Sequence, residues 1–299
     1  MGRVDTNQRA SWETLEGRTL LSATLPHVDA QSSPSVGAAF HVDAAAIAEP
    51  ATNGYVTGWK NDSGDPLFGK GGPNINDIHQ GDVGDCWFLG TLAEVAWRDP
   101  SLIRQDITER ADGTYDVYFH TSTGTVDEHV DGWIPVNQYH KLEYAQLGQG
   151  NCVWVAIMEK ALAYFRNQTI APAYDTISNG SCLEALADLG ITAAHYSKLP
   201  ATASQLFSDV STLVASDAIV ETGTLASTPA PLVTTHVYSI ISTRVTKTGE
   251  QEIELRNPWG TNPDYKASNS DYQSKNNGYL WISASTFFSQ TQGLTSAIV

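Results

Sequence analysis

The feature that most constrains this chain is a glycine-rich loop that runs without a spacer into an apolar helix, Gln80-Gly81-Asp82-Val83-Gly84-Asp85-Cys86-Trp87-Phe88-Leu89. The glycines permit a tight turn. Apolar residues then recur at helical spacing from Asp85 to Trp97, and Asp99-Pro100 ends the run. Cys86 is thereby placed at or near a helix N-terminus, where unpaired N–H groups and the positive dipole end favour thiolate over thiol. Gln80 lies six residues upstream, on a loop long enough to return its amide to the sulfur. With the Cys86 backbone N–H it would hold the oxyanion of a tetrahedral intermediate. A cysteine taken alone is commonly a buried structural residue, so the reading depends on a base elsewhere.

The chain contains eight histidines. His236 opens an apolar strand, Val237-Tyr238-Ser239-Ile240-Ile241, and Asn257 closes the next one in Arg256-Asn257-Pro258-Trp259-Gly260. Lys247-Thr248-Gly249-Glu250 reads as the hairpin turn between them. Such a hairpin brings His236 and Asn257 to the same end of strands about 5 Å apart. Asn257 would accept from one ring nitrogen and leave the other facing the thiolate. Trp259 would cover that bond. Singly, His236 is an ordinary strand histidine and Asn257 a turn residue before proline. Jointly with Gln80 and Cys86, in this order, they read as a Cys-His-Asn site.

The remainder of the 299 residues narrows the function by exclusion. A net charge of -16 with no basic run disfavours binding to nucleic acid. No stretch approaches the roughly 18–20 apolar residues needed to span a bilayer, and residues 1–20 lack the apolar core of a secretory signal. Three cysteines argue against a disulfide framework, and Cys152 and Cys182 read as structural. Residues 1–50 are polar and aperiodic and read as a leader or mobile extension. Residues 51–178 carry the helices, including an amphipathic one over 153–166. Residues 179–299 contain a helix near Cys182 to Leu189 and otherwise read mostly as β. The fold class is therefore α+β, helical first and sheet-rich second.

These residues carry a family resemblance. Gln-Gly-x-x-Gly-Asp-Cys-Trp-Phe-Leu resembles the catalytic-cysteine signature of calpains. Trp154-Val155-Ala156-Ile157-Met158-Glu159-Lys160-Ala161, Ile253 to Gly260 and Gly278 to Phe288 resemble the calpain segments that follow, over about Trp59 to Phe288. The resemblance implies a papain-like fold of two subdomains with the active site between them. It implies an endopeptidase acting on proteins or peptides, with Cys86 as nucleophile, His236 as base, Asn257 as its orienter and Gln80 in the oxyanion hole. It also implies one calcium ion held by Gly72, Asp77 and Glu159, ligands that suit a hard cation. Two features depart from the family: Thr235 stands where glycine usually precedes the histidine, and the stretch from Trp259 to Gly278 is too short for a second calcium site. The lipid-binding and EF-hand domains of animal calpains are not expected after residue 299. Trp12 to Ser22 resembles the LEPRxLL motif of exported planctomycete proteins, with Gly17 in place of proline. That implies a bacterial source and export or a cell-envelope location, the alternative being the cytoplasm. Two rival functions stay open: acyl transfer of the transglutaminase kind at the same site, and an inactive calpain-fold binding module. The sequence leaves the oligomeric state open.

Overall fold

A computed structural model describes residues 47–167, 171–266, 268–273 and 275–299. The leader and its Trp12–Ser22 motif lie outside the described residues, apart from positions 47–50. Those four already belong to the packed unit. Glu49 pairs with the fully buried Lys160 at 2.6 Å, and the Ala48 carbonyl accepts from the Tyr164 hydroxyl.

The chain enters through β1 (Val56–Asn61). The loop that follows leads to α1 (Cys86–Arg98) and α2 (Pro100–Asp106). Next come β2 (Ile107–Glu109), β3 (Thr114–Thr121), β4 (Gly124–Asp131) and β5 (Trp133–Asn137). β1 pairs antiparallel with β5, and β2, β3 and β4 form a three-stranded sheet. The first part is thus less purely helical than its sequence suggests. The alternation of Tyr115 to Phe119 marks β3, while β1, β2, β4 and β5 carry weaker patterns.

At the centre stand α1, with Trp87 through Ala96 all buried, and α3 (Trp154–Phe165), with Trp154 through Ala163 all buried. Helices buried on every side form the core, and their few polar groups find partners there, as Lys160 does in Glu49 and Asp131. The leading N–H groups of α3 are satisfied from outside: Val153 and Trp154 donate to the carbonyls of Pro66 and Leu67 at 3.1 Å.

The second part begins with α4 (Cys182–Asp188) and β6 (His195–Lys198). There follow α5 (Ala203–Ala215), β7 (Ile219–Gly223), β8 (Val237–Val245), β9 (Gln251–Arg256), β10 (Tyr279–Ser283), α6 (Ala284–Gln290) and β11 (Gly293–Ala297). Six strands form one antiparallel sheet in the order β10-β9-β8-β7-β11-β6. The expected hairpin is present. Thr246 and Glu250 close it, and Gly249 takes the positive φ of 85° that its turn requires.

The expectation that this half is mostly β is corrected at α5. Thr202 caps that helix by accepting from the Gln205 N–H at 3.2 Å. Leu206, Phe207 and Val210 bury its inner face against β8, β9 and α6. Buried apolar residues fall into two clusters, one around α1 and α3 and one between α5, α6 and the large sheet.

Candidate active site

Cys86 is the first residue of α1, with Asp85 as its N-cap. The Asp85 carbonyl accepts from Phe88 and Leu89 at 2.8 and 3.0 Å. That leaves the N–H groups of Cys86 and Trp87 directed at the sulfur, joined by the Val237 N–H at the start of β8. The loop before Cys86 is clamped from both sides. Gly81 approaches the Tyr144 carbonyl so closely that a Cβ would lie 2.1 Å from its oxygen. The Asp82 N–H donates to the Glu143 carbonyl at 2.8 Å, and the Gln80 N–H donates across to the Pro258 carbonyl at 2.9 Å.

His236 immediately precedes β8 and Asn257 immediately follows β9. Their side chains meet as the hairpin predicts: His236 Nε2 lies 2.9 Å from Asn257 Oδ1. That oxygen also accepts from the Trp259 N–H at 3.0 Å. Asn257 is fully buried, and the Trp259 ring lies 4.9 Å from the imidazole while Tyr238 meets it edge-on at 5.2 Å. The bond therefore sits in an aromatic enclosure that excludes water, and Nδ1 is left for the other side. The Thr224 hydroxyl accepts from the His236 backbone N–H at 2.9 Å, an anchor that no sequence pattern announced.

Gln80, Cys86, His236 and Trp259 all line one cleft of about 830 Å³. The Gln80 amide donates one proton to the Val83 carbonyl at 2.7 Å. A primary amide carries two, and the side chain also bonds the Asp85 carboxyl, so an incoming oxygen would take the place of one of these partners.

Burial governs the ionisation here. It pushes the Cys86 thiol up to about 11 against the pull of the three N–H groups. It pushes His236 down to about 4, partly offset by the bond to Asn257. The helix N-terminus thus does not leave Cys86 a resting thiolate, as its position alone suggested. Burial favours the neutral form of both groups. Of the three cysteines, Cys86 alone is partly exposed, while Cys152 and Cys182 are buried.

Asp85 was missed as a feature in its own right, although it stands inside the motif. It is fully buried, and burial raises it to about 7 beside Glu159, itself held well above the usual carboxylate range. The two carboxyls share the interior behind the nucleophile.

The candidate calcium ligands are placed as follows. The Asp77 carboxylate accepts from the N–H groups of Gln149, Asn74 and the Trp154 indole at 2.9, 3.0 and 2.9 Å. Glu159 accepts from the Ala145 N–H at 2.9 Å. The Arg104 guanidinium donates to the Gly71 carbonyl at 2.6 Å and fills the space against Gly72. A hard cation needs oxygens turned towards it, and these carboxylates are turned to N–H donors with a guanidinium alongside. In this arrangement the donor set does not fit the ion. Among the described residues no group of three or more His, Cys, Asp or Glu side chains is placed to hold a metal.

Comparison with known proteins points one way. The family model described as "Calpain family cysteine protease" matches residues 51–289. The chain is 30% identical to human calpain-8 over 238 residues, covering 71% of this chain and 32% of that protein. It is 28% identical to the rat calpain-1 catalytic subunit over 289 residues, covering 90% of this chain and 38% of the relative. It is also 28% identical over 224 residues to a calpain-type cysteine protease of Oryza sativa, covering 70% of this chain and 10% of the relative. The matches therefore span about a third of the animal relatives and a tenth of the plant one.

Proposed function

The chain belongs to the calpain family of cysteine proteases, and on that premise we propose that it is an endopeptidase with Cys86 as nucleophile, His236 as base and acid, Asn257 as orienter and Gln80 as oxyanion donor. The observation that carries this reading is the buried 2.9 Å bond between His236 and Asn257, opening on the cleft that Cys86 lines.

In the reaction, His236 takes the thiol proton as Cys86 Sγ attacks the peptide carbonyl. The oxyanion accepts from the Cys86 N–H and the Gln80 amide. Collapse expels the amine, which receives its proton from His236 and leaves a thioester. Water, deprotonated by His236, then hydrolyses the thioester. Asn257 fixes the ring so that the same nitrogen serves each transfer. We place this site between two papain-like subdomains. A cleft walled from α1 on one side and the loop before β8 on the other supports that division, as does a distinct apolar cluster between α5, α6 and the large sheet. No step draws on a metal ion.

Incubation with casein followed by mass spectrometry tests the proposal. The expected result is cleaved peptides with the wild type and none with Cys86→Ser. Cross-linked casein would indicate acyl transfer instead, and intact casein with wild-type protein would support a binding module.

A further inference from the structure

Beside the cleft lies a second cavity of about 440 Å³, walled by Tyr55, Asp82, Asn137, Tyr139, Leu142 and Glu143 among others. Asp82 lines both cavities, and its N–H is bonded to the Glu143 carbonyl at 2.8 Å. A polypeptide lying along the cleft would therefore pass from one to the other without leaving the surface. Tyr55 and Tyr139 are 70% and 72% exposed. A lone exposed ring is ordinary, but here two line one cavity. Each is held by the turn before it: the Tyr55 N–H donates to Asn53 Oδ1 at 3.1 Å, and the Tyr139 N–H to Asn137 Oδ1 at 3.0 Å. The backbone that carries each ring is thus held in a turn, which limits the chain order lost on using it.

The walls are chemically one-sided. Asp82 and Glu143 bring acid groups and the two tyrosines bring π faces, while the nearby Lys141 is not among the walls. Carboxylates and aromatic faces together select a cation with an apolar stem. The size suits one long side chain, and the net charge of -16 favours a basic partner at longer range.

We propose that this cavity is a subsite for a lysine or arginine side chain of the substrate polypeptide, several residues from the scissile bond. The proposal rests on the protease reading of the cleft, but its test does not need turnover. A fluorescent peptide matching a casein segment would be made with its flanks extended by arginine or by glutamate. Binding to Cys86→Ala protein would be read by anisotropy. The arginine-extended peptide should bind about tenfold tighter than the glutamate-extended one, the scale of two aromatic contacts and a charge. In the background of Tyr55→Ala, Tyr139→Ala and Glu143→Gln the two should bind alike. The preference should also shrink in high salt. Equal binding of both peptides to the Cys86→Ala protein, or a preference that survives the three substitutions, overturns the subsite. Failure of the wild type to cleave casein bears on the protease reading alone.

Discussion

Asn257 exchanges no proton in this account, and its effect is geometric. Its oxygen holds His236 and the Trp259 N–H at once, inside an aromatic enclosure. Asn257→Ala should therefore lower turnover by roughly tenfold to a hundredfold without abolishing it, the scale of a misaligned base. Gln80→Ala should cost on the order of 10²–10³, as loss of an oxyanion donor does. Steady-state kinetics on a fluorogenic peptide checks both, and unchanged kcat in Gln80→Ala would remove the oxyanion role. At this scale much of the site was legible. Cys86 and Gln80 share a ten-residue segment, and a hairpin fixes the distance from His236 to Asn257 by strand pairing alone. What could not be read was ionisation. Burial of Cys86 and His236 depends on Trp259, Tyr238 and α1 closing around them, and those are contacts between segments far apart in sequence.

The elements show how the two sides of the site are held in register. Arg256 at the end of β9 is buried and donates to the Ile78 carbonyl at 2.9 Å, while the Gln80 N–H reaches the Pro258 carbonyl. Through these bonds the loop that carries Gln80 is tied to the strand end that carries Asn257. Arg256→Met keeps the bulk and removes the tie, so the fold should survive while kcat falls by about 10², the cost of a displacement near 1 Å. A wild-type kcat in a folded Arg256→Met protein would contradict this. The long helices α1 and α3 were legible because their apolar residues keep a helical period. α5 was not, because its surroundings are rich in Ser, Thr and Val and only Leu206, Phe207 and Val210 mark its buried side. In the first half the alternation of Tyr115 to Phe119 made β3 legible, whereas β4 alternates between exposed and half-buried positions with little apolar contrast.

The whole molecule carries acid groups in its interior, and this sets its response to pH. Glu221 on β7 faces α1, with the Thr91 hydroxyl bonded to it at 2.9 Å and the Cys182 thiol alongside. Burial raises it to about 8. A carboxyl raised on folding is neutral in both states below its ordinary pKa near 4.5 and costs nothing there. From that point up to about 8 the unfolded chain ionises first, and stability falls by up to about 1.4 kcal/mol per pH unit. Glu221→Gln should match the wild type in thermal melting at pH 5 and exceed it at pH 9; parallel curves would argue against the buried proton. The same view of the interior bears on calcium. The Asp77 loop is already fixed by three N–H bonds, so hydrolysis in excess EGTA should stay within about twofold of that in millimolar calcium. Strong activation by calcium would mean that the ion displaces those donors.

The central claim is that His236 activates Cys86, and the rate of thiol alkylation measures it most directly. Iodoacetamide at pH 7, with the label located by peptide mapping, should modify Cys86 ahead of the buried Cys152 and Cys182. His236→Ala should slow the reaction at Cys86 sharply, since the imidazole no longer accepts the proton. Preferential labelling of Cys152 or Cys182, or an unchanged rate at Cys86 in His236→Ala, would contradict the account.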